Sequence, residues 1–256
     1  MPNFNPSRKS DKLSPRLRKQ RSRHYSRLMR KYQWLLFDAD GTLFDYDSAE
    51  GRALQKVFDS FSLPFGSEHL AAYRRINDSL WQALEAGEVT PEQVKLRRFE
   101  MLLKSIPGNH SPKDFSAAYL EYLADCAELI DGAAHIVEKL HARYRLAILT
   151  NGLHTVQRKR LASSTISHFI EEMIVSEEIG VAKPAKEFFA VTFAKLGNPP
   201  RENALMIGDN WNSDILGATN FGIDACWYNP GAKPRPTNVQ IVREIASLHE
   251  LADWLE

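Results

Sequence analysis

The stretch Trp34-Leu35-Leu36-Phe37-Asp38-Ala39-Asp40-Gly41-Thr42 runs four apolar residues directly into two carboxylates and a glycine. An unbroken apolar run suits a strand buried on both faces, which is the habit of parallel sheets sandwiched between helices. Asp38 and Asp40 then emerge together at the strand's carboxyl end, because side chains two apart share a side. Gly41 permits a tight turn beyond them.

Working outward, short apolar runs recur at Leu146 to Leu149, Met173 to Val175, Ala204 to Ile207 and Ala225 to Trp227, each followed by polar or glycine-containing turn residues. They alternate with helix-period segments, so the fold class is α/β, a doubly wound parallel sheet with helices on both faces. More than 100 residues separate the first two strands. That interval has a 3.6-residue apolar period, which predicts helices over Ser48 to Phe61, Glu68 to Leu84, Pro91 to Leu103 and Pro112 to Leu129. An insertion there lies over the strands' carboxyl ends, where doubly wound folds bind ligands. The expected organisation is a basic tail at 1–31, a core of 32–46 and 131–256, and a helical cap at 47–130. In the last segment Leu248, Leu251 and Leu255 fall on one face, fit to pack against the sheet.

With 256 residues, 43% of them hydrophobic and 25% charged, the chain can bury one good core plus a small second domain. No run approaches the roughly 18 apolar residues of a membrane span, and the N-terminus lacks a secretory apolar core. Cys126 and Cys226 are too few and too far apart for a disulfide framework or zinc site. A cytoplasmic enzyme with no membrane partner is expected. The net charge of +1 conceals a tail with 11 Lys/Arg against the single acid Asp11. Such a segment cannot form a core and reads as disordered. It is either a polyanion-binding arm or transit peptide, or a dispensable extension ahead of Met29.

Four segments carry chemistry. In the first, one carboxylate of Asp38 and Asp40 can attack phosphorus while the other protonates the leaving alcohol; the plain alternative is a strand-ending turn. In Thr150-Asn151-Gly152, a hydroxyl and the following amides can hold phosphate oxygens, although alone this is a common turn. Lys183 of Val181-Ala182-Lys183-Pro184 can cancel phosphate charge, or simply sit solvated at a helix start. In Met206-Ile207-Gly208-Asp209-Asn210-Trp211-Asn212-Ser213-Asp214, Asp209 pairs with Asp38 as a hard oxygen donor set for Mg²⁺, while Asp214 either caps the next helix or joins the metal.

In this order, the four segments resemble the motifs of the haloacid dehalogenase-like (HAD) superfamily across about residues 32 to 256. The resemblance implies a Rossmann-like core with an inserted helical cap. It makes Asp38 the nucleophile and a metal ligand, and Asp40 the general acid/base whose main-chain carbonyl also binds metal. Thr150 and Lys183 would hold the transferring phosphoryl group, with Asn151 and Gly152 beside them. Asp209 would bind Mg²⁺, for which Mn²⁺ could substitute, and Asp214 would support the site directly or through water. The carboxylate at Asp40 favours phosphatase over dehalogenase chemistry, since a halide leaving group needs no proton.

Asn77-Asp78-Ser79-Leu80-Trp81, Arg98-Phe99, Val175 to Pro184, Ser213 to Gly217 and Ala225 to Asn229 are similar to bacterial pyrimidine 5'-nucleotidases. Asn77 and Trp81, four apart, share a helix face and offer an amide beside a stacking ring. Phe44 could complete that pocket, or these rings could simply pack cap against core. The expected activity is hydrolysis of nucleoside 5'-monophosphates, with pyrimidine and deoxy forms such as dUMP, dTMP and UMP preferred, through an aspartyl-phosphate. The alternatives are a sugar-phosphate or phosphoglycolate phosphatase, and a nucleic-acid-binding module acting through the tail. The sequence distinguishes neither a monomer nor a homodimer.

Overall fold

Every residue of the apolar run Trp34–Phe37 is buried in β1 of the computed structural model, which describes residues 31–236 and 239–255. Lys31 excepted, the basic tail lies outside the described residues. The other strands are β2 (Arg145–Thr150), β3 (Glu172–Val175), β4 (Ala204–Gly208), β5 (Asp224–Tyr228) and β6 (Arg243–Ile245), in the spatial order β3-β2-β1-β4-β5-β6. Every pairing is parallel, with Leu36 of β1 opposite Ala147 on one side and Met206 on the other. The chain builds outward from β1 to β3 and then returns to the other side of β1. The crevice at that reversal opens at the carboxyl ends of β1, β2 and β4.

The sixth strand was not among those expected. Its first two residues, Arg243 and Glu244, are polar, and only Ile245 is buried. Strand pairing with β5 stabilises what its side chains do not announce.

Period-two alternation divides β1 between two cores. Leu35 and Phe37 pack with Ile136, Val137 and Leu140 of α5 (Ala133–His141) and with Leu251, Trp254 and Leu255 of α9 (His249–Leu255). Trp34 and Leu36 pack on the opposite face with Phe188, Phe189 and Phe193 of α7 (Lys186–Lys195) and with Ala218 and Phe221 of α8 (Gly217–Phe221).

Between β1 and β2 lie α1 (Tyr46–Ser60), α2 (Ser67–Glu85), α3 (Pro91–Leu102) and α4 (Pro112–Ala124). Local chemistry sets their starts. Thr90 and Gln93 form a reciprocal capping box at α3 with Pro91 in the first turn, and the Ser111 hydroxyl accepts from the Asp114 N–H at α4. These helices enclose their own aromatic core around Phe58, Tyr73, Phe99, Phe115 and Tyr119, which Leu153 and Val156, the latter on α6 (His154–Ser163), join from the sheet side.

The helix expected to continue to Leu129 ends at Ala124. Residues 125–130 instead return to the point of departure, where the Asp45 N–H donates to the Glu128 carbonyl at 3.0 Å and the Ile130 N–H to the Leu43 carbonyl at 2.9 Å. Apolar periodicity continues through Leu129, but those backbone groups find better partners in the turn that follows β1. Among the described residues, no helix is long and apolar enough to cross a membrane.

Candidate active site

Lys183 is the centre of the site. It is 1% exposed, and its Nζ donates to Asp38 Oδ1 and Asp214 Oδ1, both at 2.6 Å, and to the Leu149 carbonyl at 2.7 Å. All three ammonium protons are therefore committed. Burial opposes the Lys183 charge, but Asp214 and Asp38 overcome it, so its pKa lies above that of an ordinary lysine. The Asn151 side chain holds the lysine's backbone, with Oδ1 accepting from the Lys183 N–H and Nδ2 donating to the Lys183 carbonyl, both at 2.8 Å.

Asp38 stands where β1 ends, and Asp209 where β4 ends. Burial pushes the Asp38 carboxyl up, and the charges of Asp214 and Asp209 add to that against the pull of Lys183. Asp209 is likewise pushed up to about 6, first by burial and then by Asp214. Its Oδ1 accepts from Thr42 Oγ1 at 3.3 Å, and its carbonyl accepts from Trp227 Nε1 at 3.0 Å. One oxygen each of Asp38, Asp209 and Asp214 can be chosen so that all lie within 4.8 Å of one another. Three hard oxygen donors repelling one another around one point suit a divalent cation such as Mg²⁺.

Asp214 is fully buried and its oxygens are both in use, Oδ1 by Lys183 and Oδ2 by the Asn210 N–H at 3.1 Å. The cap of the following wide turn, Trp211–Leu216, is Asn210, whose side chain accepts from the Asn212 and Ser213 N–H groups. Asp214 thus ties the start of that turn to Lys183. Gly41 is needed where it stands: its φ is +83°, and a Cβ there would lie 2.8 Å from Asp209 Oδ2.

Thr150 is buried at the end of β2, and its Oγ1 accepts from the Gly152 N–H at 2.9 Å, leaving the hydroxyl proton free to donate. Asp38, Asp40, Thr150, Asn151, Gly152, Lys183 and Asp209 border one cavity of about 310 Å³. Asn77 and Trp81 of α2 and Tyr46 of α1 border it as well. Phe44 is not brought into that cavity. It is fully buried, its ring 4.6 Å beneath the Arg160 guanidinium.

Sequence reasoning missed Arg160 and Gln157. Both are on α6 and both hold Asp40, Arg160 through Oδ1 and Gln157 through Oδ2. Arg160 is fully buried and its Nε also donates to the Cys126 carbonyl at 2.8 Å. Their only signal is the three-residue spacing that puts both on one helix face. The segment His154-Thr155-Val156-Gln157-Arg158-Lys159-Arg160 otherwise reads as a solvated polar helix.

A family profile described as haloacid dehalogenase-like hydrolase matches residues 32–222. The chain belongs to that family. This HAD-like hydrolase is 36% identical over 223 residues to the HAD-hydrolase YfnB of Bacillus subtilis, covering 87% of this chain and 95% of that one. It is 34% identical to the pyrimidine 5'-nucleotidase YjjG of Escherichia coli (88% and 98% covered). To the pyrimidine 5'-nucleotidase PynA of Streptococcus pneumoniae it is 31% identical (88% and 95% covered). The magnesium-bound crystal structure of YfnB superposes with a TM-score of 0.83 at 36% identity, covering 89% of this chain and all of that one. With a carboxylate at Asp40 and these relatives, this HAD-like hydrolase falls among the phosphoric monoester hydrolases of the family.

Proposed function

We propose that the enzyme hydrolyses nucleoside 5'-monophosphates, pyrimidine and deoxy forms such as dUMP, dTMP and UMP first, through an aspartyl-phosphate on Asp38. The observation that carries this reading is a single cavity bordered by Asp38, Thr150 and Lys183 together with the Trp81 side chain. Its volume of about 310 Å³ suits a small ligand. The names of YjjG and PynA support the same reading.

Lys183 fixes Asp38 through Oδ1, leaving Oδ2 to attack phosphorus. Thr150 Oγ1 donates to the phosphoryl oxygens, and the Lys183 charge, its protons held by Asp38, Asp214 and Leu149, offsets the charge that builds there through its field. As the Asp38 Oδ2–P bond forms, the P–O5' bond breaks, and Asp40 gives its proton to O5'. Asp40 then takes a proton from a water whose oxygen attacks phosphorus, releasing inorganic phosphate and restoring Asp38. Asp40 enters the first step protonated and turned from Arg160 and Gln157 to O5', and the carboxylate left behind takes the water's proton in the second, which restores the acid form. Mg²⁺, or Mn²⁺ in its place, would be held by Asp38, Asp209 and the Asp40 carbonyl, with Asp214 behind them. When bound it neutralises phosphate charge and aligns the phosphoryl group with Asp38. The helices between β1 and β2 act as the cap that encloses the substrate.

The deciding experiment is phosphate release from dUMP, dTMP, UMP and a panel of sugar phosphates and phosphoglycolate, with Mg²⁺ present. Rapid cleavage of sugar phosphates with none from the nucleotides refutes the substrate assignment. Asp38→Asn removes turnover, and appreciable remaining activity sinks the nucleophile assignment.

A further inference from the structure

Resting on the nucleotidase reading, the geometry points to Arg98 as the residue that reads the base, through a ring carbonyl oxygen. Arg98, on α3, is 1% exposed. Rings cover its guanidinium, with Tyr119 at 4.7 Å and Phe99 at 5.3 Å from the central carbon. Aromatic faces offset the charge but accept no in-plane N–H bond. Nη1 donates to Asn77 Oδ1 at 3.4 Å, while Nε and Nη2 are buried and have no hydrogen-bond partner among the described residues. Those two nitrogens form one edge of the guanidinium, two parallel donors suited to a shared acceptor. A charged donor left unpaired in the interior is costly and calls for a partner that arrives from outside.

The place for that partner is defined. A cavity of about 20 Å³ is bordered by Arg98 with Leu123, Leu153 and Gln157, and Asp40, Tyr46, Trp81 and Gly152 border both it and the main cavity. That is room for about one oxygen atom and not for a second phosphate or carboxylate. A flat ring between Tyr46 and Trp81, its phosphate at Asp38, would reach it with one carbonyl oxygen. O2 is the ring carbonyl that uracil, thymine and cytosine share, so a reader for pyrimidines uses O2. Asn77 does not read the base on this account. Its Nδ2 donates to Tyr46 Oη at 3.3 Å and Glu50 Oε1 at 3.4 Å and its Oδ1 serves Arg98, so it positions the guanidinium.

The test compares dUMP with 2-deoxyribose 5-phosphate, which carries the same phosphoester and no base, on the wild type, Arg98→Met and Arg98→Lys. Loss of a hydrogen bond to a charged group lowers kcat/KM for dUMP by about 10- to 150-fold in Arg98→Met. Arg98→Lys falls between Arg98→Met and the wild type, and all three cleave 2-deoxyribose 5-phosphate within about threefold of one another. Equal loss on both substrates, or an undiminished preference for dUMP in Arg98→Met, overturns the inference alone. A wild type that cleaves 2-deoxyribose 5-phosphate but not dUMP overturns the nucleotidase reading and the inference with it. Should the variants not fold, the wild type is assayed with dUMP carrying sulfur in place of O2, a poorer and larger acceptor. Reduced turnover supports the assignment, and unchanged turnover overturns it.

Discussion

Replacing Lys183 with Met removes, among the described residues, the only cation that touches both Asp38 and Asp214. Asp214 is fully buried and Asp38 nearly so, and removing the ammonium strands the Asp214 charge in the interior. Breaking a buried ion pair by deleting one partner costs about 3–5 kcal/mol, most of it from the charge left uncompensated. At roughly 2–4 °C per kcal/mol for a chain of this size, the unfolding midpoint falls by roughly 6–20 °C. Calorimetry in the absence of divalent cation reads this directly. The second half of the test adds Asp214→Asn, which removes the stranded charge and keeps an oxygen for the Asn210 N–H. The double variant is then more stable than the sum of the single losses implies, by about 0.5–3 kcal/mol. A midpoint for Lys183→Met within 2 °C of wild type, taken as the roughly 2 °C scatter expected for a surface change, or strictly additive losses, refutes the electrostatic account of the centre.

Gly41→Ala places a Cβ against the Asp209 carboxylate in a left-handed backbone, costing about 1–2 kcal/mol in conformation alone; Mg²⁺ titration by calorimetry shows weakened binding. Phe58→Ala, which removes a fully buried ring packed on Phe65 and Phe115, destabilises by about 3–5 kcal/mol in denaturant unfolding. Chelation by EDTA stops phosphate release, and added Mg²⁺ or Mn²⁺ restores it; activity that survives exhaustive chelation refutes the metal requirement.

The strands were legible because their chemistry is one-dimensional. Trp34–Phe37 is apolar throughout since both faces are covered, and the runs at 146, 173, 204 and 225 each lie within the observed strands. The residues at strand tips were legible for the same reason, for a carboxylate directly after a buried strand has one place to stand. What escaped was long-range pairing. Arg243 and Glu244 look like loop until β5 is beside them, and Arg160 looks solvated until the Asp40 carboxylate and the Cys126 carbonyl enclose it. Phe44 had two readings, pocket wall or packing, and the structure gives it the second. Proximity to the catalytic turn suggested a pocket wall, but its ring points beneath Arg160 into the core. Asn77 and Trp81 do border the cavity, yet nothing in their spacing discloses that the Asn77 amide is already occupied by Tyr46, Glu50 and Arg98.

The helical unit leaves the sheet at Phe44 and comes back at Leu129, and these two residues are bridged to one another. The chain therefore enters and leaves the helical unit side by side, and that pair of residues closes the loop of chain between β1 and β2. Helices hung at that place can be lengthened or trimmed without moving Asp38 from the tip of β1 or Asp209 from the tip of β4.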